Sequence, residues 1–78
     1  AIEEKDGAEY AIGNTIHDDG DVRKNDYALY RKVRDGGFKY KGKYYPQKFY
    51  VEIGRLPVSP YASRSEVNKA FQDSLSKI

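Results

Sequence analysis

Residues 36–54 read GGFKYKGKYYPQKFYVEIG and place six aromatic residues and four lysines in one short stretch. Phe38, Tyr40 and Tyr44 alternate with Lys39, Lys41 and Lys43, as in strands with two unlike faces. Lys41 and Gly42 suit a tight turn, because glycine readily adopts positive φ. We therefore expect 38–40 to fold back on 43–45 as a hairpin. One continuous strand across both segments is the alternative.

Apolar residues also alternate on either side of this stretch. After Pro46, which cannot donate a ladder hydrogen bond, every second residue is apolar: Phe49, Val51 and Ile53. Before the stretch, Tyr27, Leu29 and Val33 fall on one face of an extended segment, with Ala28, Tyr30, Lys32 and Arg34 on the other. These patterns predict a small antiparallel sheet of three or more strands over residues 27–54.

The C-terminal residues 63–78 have the pattern of an amphipathic helix. Ser63 followed by Glu66 matches a capping box. The apolar stripe consists of Val67, Ala70, Phe71, Leu75 and Ile78. A helix this short is unstable alone, so we expect it to pack on one face of the sheet. The predicted fold class is α+β.

The first third of the chain gives weaker patterns. Residues 1–9 are polar with scattered apolar positions, and we expect a frayed N-terminus there. Short strands are expected near 10–12 and 15–17. The charged stretch 18–26 contains an Asp-Gly turn pair and reads as a solvated loop. With 78 residues, the chain is long enough for a single domain with a small core.

The formal net charge of +2 conceals two halves of opposite sign. Residues 1–30 carry eight acidic and three basic side chains, whereas residues 31–78 carry four acidic and eleven basic ones. A local positive field attracts polyanions even when the total charge is small. The other interpretation is that the two halves fold against each other and partly neutralise each other's charge.

Few residues have the chemistry of a catalytic or metal site. The chain has no cysteine and one histidine, and it lacks nucleophile-elbow and phosphate-loop motifs. The segment His17-Asp18-Asp19-Gly20-Asp21 fits a calcium loop poorly, because Thr15, His17 and Asp26 fall where other ligands are required. We expect no enzyme, no cofactor and no metal site, and a charged surface turn at 17–21.

The basic, tyrosine-rich stretch is typical of a surface that binds nucleic acid, since lysines neutralise phosphates and aromatic rings stack on bases. In the alternative interpretation, Phe38, Tyr40, Phe49, Val51 and Ile53 are core residues under the helix. Adjacent strand residues point to opposite faces, which places Tyr45 and Tyr50 among the cations. The predicted contact residues are Arg31, Lys32, Arg34, Lys39, Lys41, Lys43, Tyr45, Lys48, Tyr50 and Arg55.

Three strands and a helix with a short basic hairpin, over residues 27–78, resemble in outline the small arm-binding domains of some tyrosine recombinases. That resemblance implies a three-stranded sheet lying in the major groove of DNA. The connection over 54–62 is longer and richer in proline than that outline.

We therefore expect a small non-enzymatic protein that binds DNA or RNA. The alternative is a protein-interaction module, such as an inhibitor, assembly factor or phage accessory protein, that uses the same tyrosines and the acidic half. Oligomers fit this alternative. No apolar run reaches signal-peptide or membrane-span length, and we expect a cytoplasmic protein with no membrane partner.

Overall fold

The protein has an α+β fold with two antiparallel sheets and one C-terminal helix. The structure is a computed structural model that describes the backbone at residues 2–19 and 22–78, and the side chains at residues 2–15 and 25–78. The elements are β1 Ile2–Lys5, β2 Ala8–Asp19, β3 Val22–Arg34, β4 Phe38–Tyr40, β5 Lys43–Tyr45, β6 Phe49–Arg55 and α1 Arg64–Leu75. The main sheet has the strand order β1-β2-β3-β6, while β4 and β5 form a separate hairpin.

Residues 2–5 form a strand, and the expectation of a frayed segment at 1–9 is wrong for residues 2–9. β1 pairs with β2 so that Glu3 lies opposite Tyr10. Asp6 and Gly7 between the strands have φ of 52° and 81°, which is the backbone that a tight hairpin turn requires. The Nζ of Lys5 also donates to the carbonyl oxygens of Leu75 and Ile78, tying β1 to the end of α1.

β2 and β3 form a long hairpin that replaces the loop expected at 18–26. Their pairing runs from Tyr10 opposite Arg31 to Asp19 opposite Val22. Residues 20 and 21 lie outside the described residues, as do the side chains of 16–19 and 22–24. The charged residues 18, 19, 23 and 24 are part of the ladder, because backbone pairing does not depend on apolar side chains.

The helix begins as its sequence predicts. The Ser63 hydroxyl accepts from the Glu66 backbone N–H at 3.2 Å, and the Ser63 N–H donates to Glu66 Oε1 at 3.3 Å, which confirms the capping box. The helix ends at Leu75, three residues before the predicted end, and Ile78 is 54% exposed. No helix in the described part of the chain is long and apolar enough to cross a membrane.

The core lies between α1 and the strands β2 and β3. Its buried members are Tyr10, Leu29, Leu56, Val67, Phe71 and Leu75. Phe71 is 1% exposed and is the largest fully buried side chain among the described residues. The helix stripe is thus confirmed at Val67, Phe71 and Leu75, with Ala70 packed beside it.

β6 is a strand, as its alternation predicts, but its apolar side chains are not core. Phe49, Val51 and Ile53 are 41%, 45% and 47% exposed. β6 is an edge strand, and the single twelve-residue helix covers β2 and β3 instead. Val33, expected beside Leu29 on one face, is 56% exposed because the register with β6 shifts between Lys32 and Arg34. The sequence interpretation that placed Phe38, Tyr40, Phe49, Val51 and Ile53 under the helix is wrong.

The predicted fold class, an antiparallel sheet of three or more strands with a C-terminal helix, is confirmed, but residues 27–54 do not form one continuous sheet. The hairpin β4–β5 interrupts the chain between β3 and β6, which pair directly with each other. β1 and β2, from the weakly patterned N-terminal third, supply half of the main sheet. The outline that resembles recombinase arm-binding domains, three consecutive strands in one sheet, therefore does not hold for this chain.

Candidate nucleic-acid interface

The side of the sheet opposite α1 carries a cluster centred on Glu9. This carboxylate accepts a hydrogen bond from the Tyr50 hydroxyl and one from Lys48 Nζ, the latter at 3.2 Å. Lys32 Nζ lies 3.9 Å from the same carboxylate and 2.7 Å from Asp35. Glu9 alternates with buried Tyr10 along β2, so it points away from the core. We call Glu9, Lys32, Lys48 and Tyr50 the Glu9 cluster.

Protonation in the Glu9 cluster follows from these contacts. The hydrogen bond from Tyr50, followed by that from Lys48, holds the pKa of Glu9 below its ordinary value. The same bond to Glu9 raises the pKa of the Tyr50 phenol, because the neutral hydroxyl is the donor. The hydrogen bond to Asp35 raises the pKa of Lys32 and lowers that of Asp35. Glu9 and Lys32 are therefore charged at neutral pH, and the Tyr50 phenol is neutral.

A second ion pair joins the acidic and basic parts of the chain farther along the same strands. Arg55 on β6 donates to the carboxylate of Asp26 on β3, and this contact raises the pKa of the guanidinium. Together with the Glu9 cluster, this pair shows that residues of the acidic first 30 positions contact residues of the basic remainder. Partial neutralisation of the two halves, one of the two sequence interpretations, is confirmed at these residues.

The hairpin β4–β5 has the geometry predicted for it. Phe38 pairs with Tyr45, Lys39 with Tyr44 and Tyr40 with Lys43. At the turn, Lys41 has φ of 49° and Gly42 has φ of 80°. Positive φ at both central residues is the mark of the hairpin turn that matches strand twist.

Aromatic stacking anchors the base of the hairpin. The rings of Phe38 and Tyr45 are stacked at 5.4 Å, and both meet the Phe49 ring edge-on at 5.5 and 5.3 Å. The Arg34 guanidinium lies 3.5 Å from the centre of the Phe38 ring. Gly36 fits against the backbone of residues 46–47, with no room for a β-carbon. Tyr45 thus belongs to this base and does not form an open stacking platform.

The outer part of the hairpin is exposed on both faces. Tyr40 and Tyr44 are 54% and 56% exposed, and each lies directly opposite a lysine on the neighbouring strand. Among the described side chains, no carboxylate lies within ion-pair distance of Lys39, Lys41 or Lys43. Lys41 and Lys43 lie instead 5.4 and 5.3 Å from the ring centres of Tyr40 and Tyr45.

The ten predicted contact residues therefore do not form one face. Lys32, Lys48, Tyr50 and Arg55 are engaged by carboxylates on the main sheet. Arg31 pairs with Tyr10 and Val51 on the helix side of the sheet, away from Lys32. Arg34, Lys39, Lys41, Lys43 and Tyr45 lie in or beside the hairpin. This split follows from the strand order, which the sequence did not reveal.

The described surface has hollows on the main sheet and beside α1. One, of about 190 Å³, is lined by Thr15, Asp26, Ala28, Glu52 and Arg55, with the Asp26–Arg55 pair across it. Another, of about 310 Å³, lies at the N-terminal end of α1. No group of three or more His, Asp or Glu side chains converges among the described residues. His17, Asp18, Asp19 and Asp21 lie outside the described side chains.

Comparison of the chain with protein-family models, curated proteins and solved structures found no match.

Glu9 is the residue that sequence reasoning missed. Its cationic neighbours lie 23 and 39 positions away along the chain, so no local pattern connects them. The indication available was indirect. Glu9 precedes Tyr10, and a strand starting near Tyr10 beside the basic strands would bring the Glu9 carboxylate close to their lysines.

Proposed function

We propose that this chain is a non-enzymatic nucleic-acid-binding protein and that the hairpin β4–β5 is its contact surface. The observation that carries the proposal is the exposed set Lys39, Lys41 and Lys43, which lacks carboxylate partners in the described structure, beside exposed Tyr40 and Tyr44. Unpaired lysines are available to phosphates without first breaking an internal ion pair.

The pairing of tyrosines with lysines across the hairpin supports this use. Lys39 is opposite Tyr44, and Lys43 is opposite Tyr40, with directly opposed β-carbons about 5 Å apart. A base stacked on either ring would have its own phosphate within reach of the opposing ammonium. Stacking on an aromatic side chain contributes about 1–3 kcal/mol per base, and the attraction between phosphate and lysine adds to this free energy.

The main sheet has a lesser part in this proposal. Lys32, Lys48 and Arg55 are held by Glu9 and Asp26, so a phosphate would compete with a carboxylate already in place. Arg34 lies over the Phe38 ring at the base of the hairpin and extends the positive field there. We therefore propose a contact surface of Arg34, Lys39, Tyr40, Lys41, Lys43 and Tyr44.

The test is a titration of labelled single-stranded and duplex DNA, followed by fluorescence anisotropy at several salt concentrations. The hairpin variant carries Lys39→Gln, Lys41→Gln and Lys43→Gln. The matched control carries Arg64→Gln, Lys69→Gln and Lys77→Gln, which removes the same charge from exposed positions at and just beyond α1.

We expect the wild type and the control to bind with affinities that fall linearly on a log–log salt plot. The hairpin variant should bind more weakly, with a slope smaller by up to about 0.9 per lost phosphate contact on duplex DNA. Equal losses in the two variants would mean that net charge alone is responsible. Absence of wild-type binding at low salt would contradict the proposal.

A second candidate function, a protein-interaction module, is favoured by the exposed apolar residues of β6. Phe49, Val51 and Ile53 are each more than two-fifths exposed on an edge strand. Exposed apolar residues that share one strand edge are typical of surfaces that another chain covers. If binding to DNA is absent, the molecular mass of the protein in solution tests this candidate on the same preparation.

A further inference from the structure

β6 has the properties of a strand that pairs with another chain. It forms one edge of the main sheet, and its outer backbone groups have no neighbouring strand in the described structure. It has seven residues and no proline, and it carries three exposed apolar side chains, at 49, 51 and 53. The opposite edge, β1, reads Ile-Glu-Glu-Lys and is blunted by charge.

We propose that β6 pairs antiparallel with β6 of a second copy of this chain, with Val51 directly opposite Val51 of the partner copy. This proposal is independent of nucleic-acid binding, because it rests on the sheet edge and not on the hairpin. The contact is isologous, so it closes with two copies and does not propagate into a filament. It joins the two four-stranded sheets into one continuous sheet of eight strands.

The order of residues in β6 selects this register. With Val51 at the centre, Phe49 lies opposite Ile53 of the partner copy, and Tyr50 lies opposite Glu52. Apolar residues then face apolar residues at three positions. Such cross-strand pairs each contribute about 0.2–1 kcal/mol.

Neighbouring registers lose these matches. Centring the pair on Glu52 places two like charges directly opposite and sets Phe49 against Arg55, which is destabilising. A slip of one residue moves the apolar set to the other face. Centring on Tyr50 leaves only residues 49–51 within both strands.

The backbone of β6 is regular from Phe49 to Glu52. Near Lys32 the extra residue lies on β3 and not on β6, and the irregularity of β6 itself falls after Glu52, at Ile53. The proposed overlap of residues 49–53 therefore ends at Ile53, where the register with β3 shifts. A bulge commonly marks the end of pairing at an edge.

The first test is the mass of the full chain by sedimentation velocity across a range of concentrations, at low and high salt. We expect growth toward twice the chain mass of 8.9 kDa. Salt should not reverse it, because apolar contacts carry the association. Val51→Lys should hold the protein at the single-chain mass, whereas Tyr61→Lys, at a 63% exposed position outside β6, should leave the dimer intact.

The register is tested by single cysteines, since the chain has none. Directly opposed residues bring their β-carbons within reach of a disulfide, so Val51→Cys should form a covalent dimer much faster than Ile53→Cys. A wild type that stays at the single-chain mass throughout would overturn the proposal. Association that salt abolishes, or equal oxidation of the two cysteine variants, would also overturn it.

Discussion

Glu9 on β2 accepts a hydrogen bond from the Tyr50 hydroxyl on β6, across the strand β3 that separates them. The same carboxylate holds Lys48 and lies near Lys32, so one acidic side chain contacts two cations and a phenol. On the main sheet, an acidic residue therefore already occupies the space between these cations. The hairpin has no such occupant among the described residues.

Replacing Glu9 should change how stability depends on pH. The pKa of Glu9 is lowered on folding, so its contribution is complete above about pH 4.3, the ordinary glutamate value, and is lost as pH falls. The pKa of Tyr50 is raised, so its contribution is complete below about pH 10 and is lost as pH rises. The free energies of unfolding of the wild type and Glu9→Gln, measured in urea, should thus differ most at pH values between these two limits. A difference that does not vary with pH would contradict this account.

The same variant should strengthen nucleic-acid binding if the proposed function holds. Glu9→Gln removes the negative charge that engages Lys48 and Lys32, and each cation that then reaches a phosphate adds about 0.9 to the salt slope on duplex DNA. Glu3→Gln is the control, because it removes the same charge beside Gln72 on α1. An equal gain in both variants would attribute the effect to net charge.

Gly42→Ala should weaken the hairpin and leave the main sheet intact. Gly42 has φ of 80°, a conformation that costs an L-residue about 1–2 kcal/mol. Gly54→Ala is the matched control, since residue 54 has open space and no positive φ. Faster amide exchange in β4 and β5 is expected for Gly42→Ala alone, measured by NMR. Unchanged exchange there would mean that the turn does not hold the hairpin.

Phe71→Ala should unfold most of the protein at ambient temperature. Phe71 is 1% exposed at the centre of the only core cluster formed by the described residues, and its truncation costs about 3–5 kcal/mol. A 78-residue chain has little stability to lose. Ile78→Ala, at a 54% exposed position, should change the free energy of unfolding by less than about 0.5 kcal/mol. Circular dichroism in a urea series distinguishes the two.

Local signals in the sequence predicted individual elements. The Lys41-Gly42 turn, the strand at β6 and the Ser63–Glu66 capping box all depend on residues within a few positions of one another. Such features are set by backbone conformation and short-range hydrogen bonds, which are legible without knowing the rest of the fold. The α+β class followed from these elements.

The arrangement of those elements depended on contacts distant in the chain. Nothing local shows that β6 pairs with β3 across the intervening hairpin, or that β1 and β2 complete the sheet. That order decides which cations meet a carboxylate: Lys48 meets Glu9, whereas Lys39 and Lys43 do not.

The alternation of Phe49, Val51 and Ile53 by itself determined that β6 is a strand with one apolar face, because side chains in a strand alternate with period two. Only the tertiary structure decided that this face is exposed. One helix of twelve residues buries Tyr10 and Leu29 and does not reach the edge strand. Burial is a property of which surfaces meet, and a pattern of residues specifies a surface without specifying what covers it.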